Sequence, residues 1–186
     1  LWFTDNGRDM LGDDVPSCEL NHAPKAGMHF GFPYCHQGDM ADPEYGKARK
    51  CAEFAPPAEN VGPHVAPLGV RFYTGTMFPA EYKNRAFIAL HGSWNRSEKS
   101  GYKVMMATIR DGKVEKFEPF IEGWLQGQSN WGRPVDMLVL PDGSPMWRVS
   151  GRSLVSSAAT RPRSEMPAAP AGNKLLETIV IGSGGS

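Results

Sequence analysis

KVMMATIRDGKVEKF, residues 103–117, is the stretch that decides the fold class. Lys103–Arg110 and Val114–Phe117 read as two strands, and Asp111-Gly112 between them suits a tight hairpin, whose central residues must take positive φ. Working outward, Gly69–Tyr73 and Ala86–His91 precede this pair as further short strands, and Val135–Leu140 follows it, running into a second turn at Pro141-Asp142-Gly143. Short strands separated by turn signals predict an antiparallel all-β protein, built as blades or as a sandwich.

Composition agrees. Twenty-one Gly and 16 Pro among 186 residues interrupt helices, while five Trp, five Tyr and nine Phe suit pleated surfaces. Twenty Lys and Arg balance 20 Asp and Glu with no basic run interleaved with aromatics, so no nucleic-acid partner is expected. No stretch approaches the roughly 18 to 20 apolar residues of a membrane span, and the N-terminus lacks the succession of a signal peptide. Leu1-Trp2-Phe3 reads as strand interior, so an expected truncation at residue 1 would leave any targeting signal upstream. Cys18, Cys35 and Cys51 match neither a metal knuckle nor a haem attachment site; a Cys35–Cys51 disulfide and three free thiols are both open.

Before the strand-rich stretch, Trp2–Thr4 ends a strand and Asp5-Asn6-Gly7-Arg8-Asp9 opens an acidic loop through Asp13 and Asp14. The run from Cys18 to Pro33 predicts a short segment, a turn and an aromatic strand with internal glycines, whereas residues 34–67 read as a long surface excursion. Residues 146–186 turn rich in Ala, Ser and Pro. The expected division is therefore a β-domain over 1–145 and a divergent, disordered or irregular tail over 146–186.

Five segments are more particular: WFTDNGRDMLGDD (2–14), CELNHAPKAGMHFGFP (18–33), GPHVAPLGVRFYTG (62–75), FIALHGSWNRS (87–97) followed by GYK, and GRPVDMLVLPDGS (132–144). In this order they resemble the soluble quinoprotein glucose/sorbosone dehydrogenases, with the sorbosone dehydrogenase-like branch the nearest. The resemblance implies about half of a six-bladed β-propeller whose pyrroloquinoline quinone (PQQ) lies over the central channel on a calcium ion. It further implies oxidation of a sugar or sugar-derived aldehyde, an electron acceptor such as a cytochrome or quinone pool, and a periplasmic or secreted location.

Residue by residue, the resemblance places a cofactor-binding amide on Asn6 and calcium-binding carbonyls on Gly7 and Arg8. Calcium wants several oxygens, and a glycine-containing turn lets carbonyls converge. Arg133 is the expected anion-binding arginine, since a planar guanidinium suits the cofactor's carboxylates. Where family members carry a second arginine this chain has Val135, and Arg96 is the expected compensation. His64 and His91 fall on inner positions where either could donate to a quinone or carboxylate oxygen, with Gly7, Trp94 and Asn95 on the same rim. His22, His29 and His36 read as structural.

The family's catalytic histidine matches no segment of this chain, so no catalytic residue is assigned and the isolated chain is expected to lack turnover. After Ser144 the sequence departs from the family pattern, which implies a missing or altered closing strand and exposed edges. Two alternatives stand beside this reading. One is a non-enzymatic propeller used for binding. The other is a hydrolase using Asp5, Asp9, Asp13 and Asp14, disfavoured because no carboxylates can be paired on facing strands from the sequence.

Overall fold

A computed structural model describes residues 1–150 and 152–155. Its strands, in chain order, begin with β1 (Trp2–Asp5), β2 (Ser17–His22), the short pair β3 (Cys35–His36) and β4 (Met40–Ala41), and β5 (Glu59–Pro63). Next come β6 (Pro67–Phe72), β7 (Ala86–Leu90), β8 (Lys103–Arg110) and β9 (Lys113–Ile121). The small hairpin β10 (Leu125–Gln126) and β11 (Ser129–Asn130) leads to β12 (Pro134–Val139), β13 (Pro145–Val149) and β14 (Arg152–Val155).

Three antiparallel sheets follow one another along the chain: β1-β2-β5, then β6-β7-β8-β9, then β12-β13-β14. Strand β6 packs between β1 and β12, so the leading strands of the three sheets stand side by side as in consecutive propeller blades. The all-β expectation holds. Asp111 and Gly112 carry φ of 51° and 75° and close the β8–β9 hairpin with the two left-handed residues that this turn requires.

The core explains why AFIAL at 86–90 is a continuous apolar run. All five residues of β7 are buried, and its side chains alternate between two clusters because successive strand residues point to opposite faces. Phe87 joins Tyr73, Tyr102, Val104, Phe120, Trp124 and Trp147 on the side of the third sheet. Ala86, Ile88 and Leu90 join Cys18, Leu20, Val61 and Met105 on the side of the first. The middle sheet is thus glued to both neighbours by apolar burial worth about 1.5–3 kcal/mol per large side chain.

Two expectations need correction. The aromatic segment 28–33 is a loop: Gly31 sits at φ 108° with its backbone against Cys35, and Tyr34 and Cys35 both donate to its carbonyl. Aromatic content there serves packing, with Phe30 edge-on to Phe3 and His29 against Phe54. The β-domain also does not end at residue 145, since β13 and β14 arise from PMWRVSGRSLV. Trp147 and Val149 are 3% exposed in the core, which outweighs the unpromising composition after them. The rest of the expected tail lies outside the described residues.

The excursion 34–67 is pinned by a Cys35–Cys51 disulfide, and Cys18 is a free, buried thiol. His22 stacks on Trp2 and His36 pairs with Asp42, in keeping with their structural reading.

Candidate functional site

The matched positions gather at one end of the three sheets through backbone geometry. Gly92 N donates to Val65 O and His91 N to Ala66 O, joining the turn before β6 to the turn after β7. Across the next junction, Arg133 donates from Nε to His91 O and from Nη2 to Gly92 O, while His91 Nδ1 donates to Pro134 O at 2.9 Å. On the opposite flank Gly7 N donates to Cys18 Sγ at 3.4 Å. Val65, Ala66, His91, Gly92 and Arg133 are therefore joined by hydrogen bonds across the second and third sheets, while Gly7 is joined to Cys18 of the first.

Glycine fits tightly at one of these points and is required at another. A Cβ on Gly7 would lie 3.0 Å from Pro16 O and 3.2 Å from Ser17 O, because the turn packs directly on the start of β2. At Gly92, with φ 100°, a Cβ would run into the Tyr102 ring. That ring also lies under the Arg133 guanidinium, 5.4 Å from its centroid, and its hydroxyl donates to Ser93 O. Arg133 is thus held by two carbonyls and the Tyr102 ring, and among the described residues its Nη1 has no hydrogen-bond partner.

His91 titrates below its ordinary value, because burial and then the neighbouring Arg133 charge disfavour the imidazolium. With Nδ1–H spent on Pro134, the neutral ring offers Nε2 as an acceptor. The donor role expected for His91 is therefore inverted.

Three of the expected ligand residues make hydrogen bonds to neighbouring loops. His64 is buried, and its Nε2 donates to Gly12 O at 2.6 Å with Nδ1 3.8 Å from the Asp9 carboxylate. Arg96 donates from Nε to Asp13 O, from Nη1 to Glu98 O and from Nη2 to Asp14. Asn95 reaches Asp9 at 3.4 Å. His64 ties the acidic loop after β1 to the turn between β5 and β6, and Asn95 and Arg96 tie it to the loop after β7.

Asn6 is exposed beside a small cleft lined by Asp5, Gly7, Glu19, Phe32, Cys35 and His36. Arg8 turns away and clamps Asp42 at 2.6 Å. Asp42 also accepts from His36 Nε2 and from the N–H groups of Glu44 and Tyr45, which overcome its burial and hold its carboxyl well below the usual range. The clamp fixes the turn whose Gly7 and Arg8 carbonyls were expected to meet calcium. Sequence reasoning missed it, although Asp42-Pro43-Glu44-Tyr45 is a legible side-chain-capped turn.

It also missed a pair of carboxylates. Asp5 stands directly opposite Glu19 in the β1–β2 ladder, and burial raises both above their ordinary values, with Asp5 adding repulsion at Glu19. Glu19 accepts from Gln37 N and Asn21 Nδ2, while Asn21 Oδ1 is buried without a partner among the described residues.

Among the described residues no cluster of three or more His, Cys, Asp and Glu side chains converges as a metal site. A cation at this end would rest on main-chain oxygens of the 6–8 turn. Arg133 and the exposed Asn6 amide suit an anionic ring, so the donor set fits a PQQ–calcium group with Arg133 as its one arginine.

A TrAA12-like family model matches residues 37–121. The calcium structure of a Trichoderma reesei carbohydrate-active enzyme of family AA12 superposes with a TM-score of 0.66 at 19% identity, over 79% of this chain and 45% of that one. The fold is part of a β-propeller. The PQQ domain of a Coprinopsis cinerea pyranose dehydrogenase gives 0.50 at 21% identity over 78% and 46% of the two chains. For the soluble aldose sugar dehydrogenase of Escherichia coli the values are 0.54 and 18% over 84% and 38%. An uncharacterized protein of Borreliella burgdorferi is 44% identical over 149 residues, 77% of this chain and 39% of that protein. The chain spans less than half the length of each of these proteins. Among the described residues no helix is long and apolar enough to cross a membrane.

Proposed function

We propose that this chain forms the PQQ- and calcium-facing part of an oxidoreductase acting on a sugar or sugar-derived aldehyde. The observation that carries the reading is the Arg133 bridge to His91 and Gly92, which joins matched residues of the second and third sheets. The TrAA12-like match over 37–121 supports the same class.

When bound, the cofactor supplies a two-electron acceptor and calcium a Lewis acid. This chain's part is to bind and orient. Arg133 Nη1 pairs with a carboxylate, in a geometry preset by its two carbonyl bonds and by Tyr102. His91 Nε2 accepts a hydrogen bond from a hydroxyl, and Asn6 offers its amide. The Asp42 clamp on Arg8 keeps the Gly7 and Arg8 carbonyls in place, and His64, Asn95 and Arg96 fasten the loops around them. An acceptor such as a cytochrome or quinone pool would take up the electrons. The Cys35–Cys51 disulfide supports a periplasmic or secreted location, where such bonds persist.

Dye reduction by the full-length protein with PQQ, calcium and a panel of aldoses tests the proposal. Sugar-dependent reduction is expected; tight cofactor binding with no reduction on any sugar or aldehyde would favour the binding-module alternative.

A further inference from the structure

Trp94, expected on the rim, is 71% exposed, and Trp131 is 45% exposed. Each lies two residues from one end of the Arg133–Gly92 hydrogen bond, so each Cα is within about 7 Å of that bond's residues. Their loops are joined directly: Lys99 N donates to Gln128 Oε1 and Lys99 Nζ to Asn130 Oδ1, both at 2.8 Å.

Neither indole is on a loose loop. Ser93 beside Trp94 is 2% exposed, exchanges hydrogen bonds with Ser100 and accepts from the Tyr102 hydroxyl. On its other side Arg96 is tied to Asp13 and Asp14. Trp131 leans on Trp124 and donates from Nε1 to Gly123 O at 2.8 Å. Two fixed, exposed aromatic faces bordered by amide, carboxylate and ammonium groups match a ligand with an apolar C–H face and a hydroxyl perimeter. A protein partner would call for a broader contiguous apolar surface.

We infer that Trp94 and Trp131 are stacking platforms for pyranose rings, next to the Arg133 end of the blades. Their place in turnover rests on the proposed sugar-oxidising function; saccharide binding by them does not.

Cellobiose and methyl β-glucopyranoside are titrated into the full-length protein, with and without PQQ and calcium, following tryptophan emission and heat. In W94A and W131A affinity should fall roughly tenfold each, and W94F should restore most of it. In the loaded protein the loss should appear in KM with kcat unchanged. Unaltered saccharide affinity and KM in both alanine variants would overturn the inference while leaving dye reduction, and so the oxidoreductase reading, intact. An effect confined to the electron acceptor's KM would overturn it too. Tryptophan-dependent binding in a protein that oxidises no sugar would sustain the platforms and remove the oxidoreductase.

Discussion

Arg133 of the third sheet donates to the carbonyls of His91 and Gly92 at the end of a strand in the second. One side chain thus serves as a joint between blades and as the cationic group of the proposed site. R133K should keep the charge and lose the joint, because an ammonium cannot span two carbonyls while stacking on Tyr102. We expect R133A to weaken PQQ binding by about 10- to 100-fold and R133K to recover only part of it, read by absorbance titration in the presence of calcium.

Asp42 gives a pH prediction of definite sign. Its folded carboxyl titrates well below the ordinary 3.8, so its contribution is present above that value and is lost as pH falls through the folded one. Removing the charge from a carboxylate that meets Arg8, His36 and two N–H groups should cost about 2 kcal/mol at pH 7. D42N should therefore unfold several degrees earlier than wild type at neutral pH, and the gap should narrow in melts below pH 3.8.

Glu19 and Asp5 behave oppositely. Their folded values lie above the ordinary ones, so the stability they confer is complete at acid pH and is lost as pH rises through the folded values. E19Q, which keeps an acceptor for Gln37 N and removes the repulsion from Asp5, should compare more favourably with wild type at pH 7 than at pH 3 in chemical denaturation.

The Cys35–Cys51 bond closes a short loop, with a sequence separation of 16. Reduction should lower stability by about 3 kcal/mol, measured as the shift in denaturation midpoint with and without reductant. Cys18, buried and with its thiol pushed up by burial, should resist alkylation until the protein unfolds.

Much of the middle sheet was legible because its signals are local. Asp111-Gly112 fixes one hairpin by φ alone, and AFIAL announces a strand buried on both faces. Strand β13 was hidden because Trp147 and Val149 acquire their value only against Phe87 and Phe120, partners some 30 to 60 positions earlier. At the site, residue types were readable but commitments were not. Nothing in SWNRSE tells that Arg96 spends every nitrogen on the 13–14 loop and on Glu98, or that Trp94 points outward. The Asp5–Glu19 pairing depends on the register of two strands separated by an 11-residue loop, which composition does not encode.

The central claim is that Asn6, His91 and Arg133 face one ligand. A crystal structure of the full-length protein soaked with PQQ and calcium tests it most directly. The account predicts a single ring at this end, with Arg133 Nη1 on a carboxylate, the Asn6 amide within hydrogen-bond distance and the Gly7 and Arg8 carbonyls on the cation. A ring bound elsewhere, or one that meets Arg133 while the 6–8 turn faces away, would contradict it.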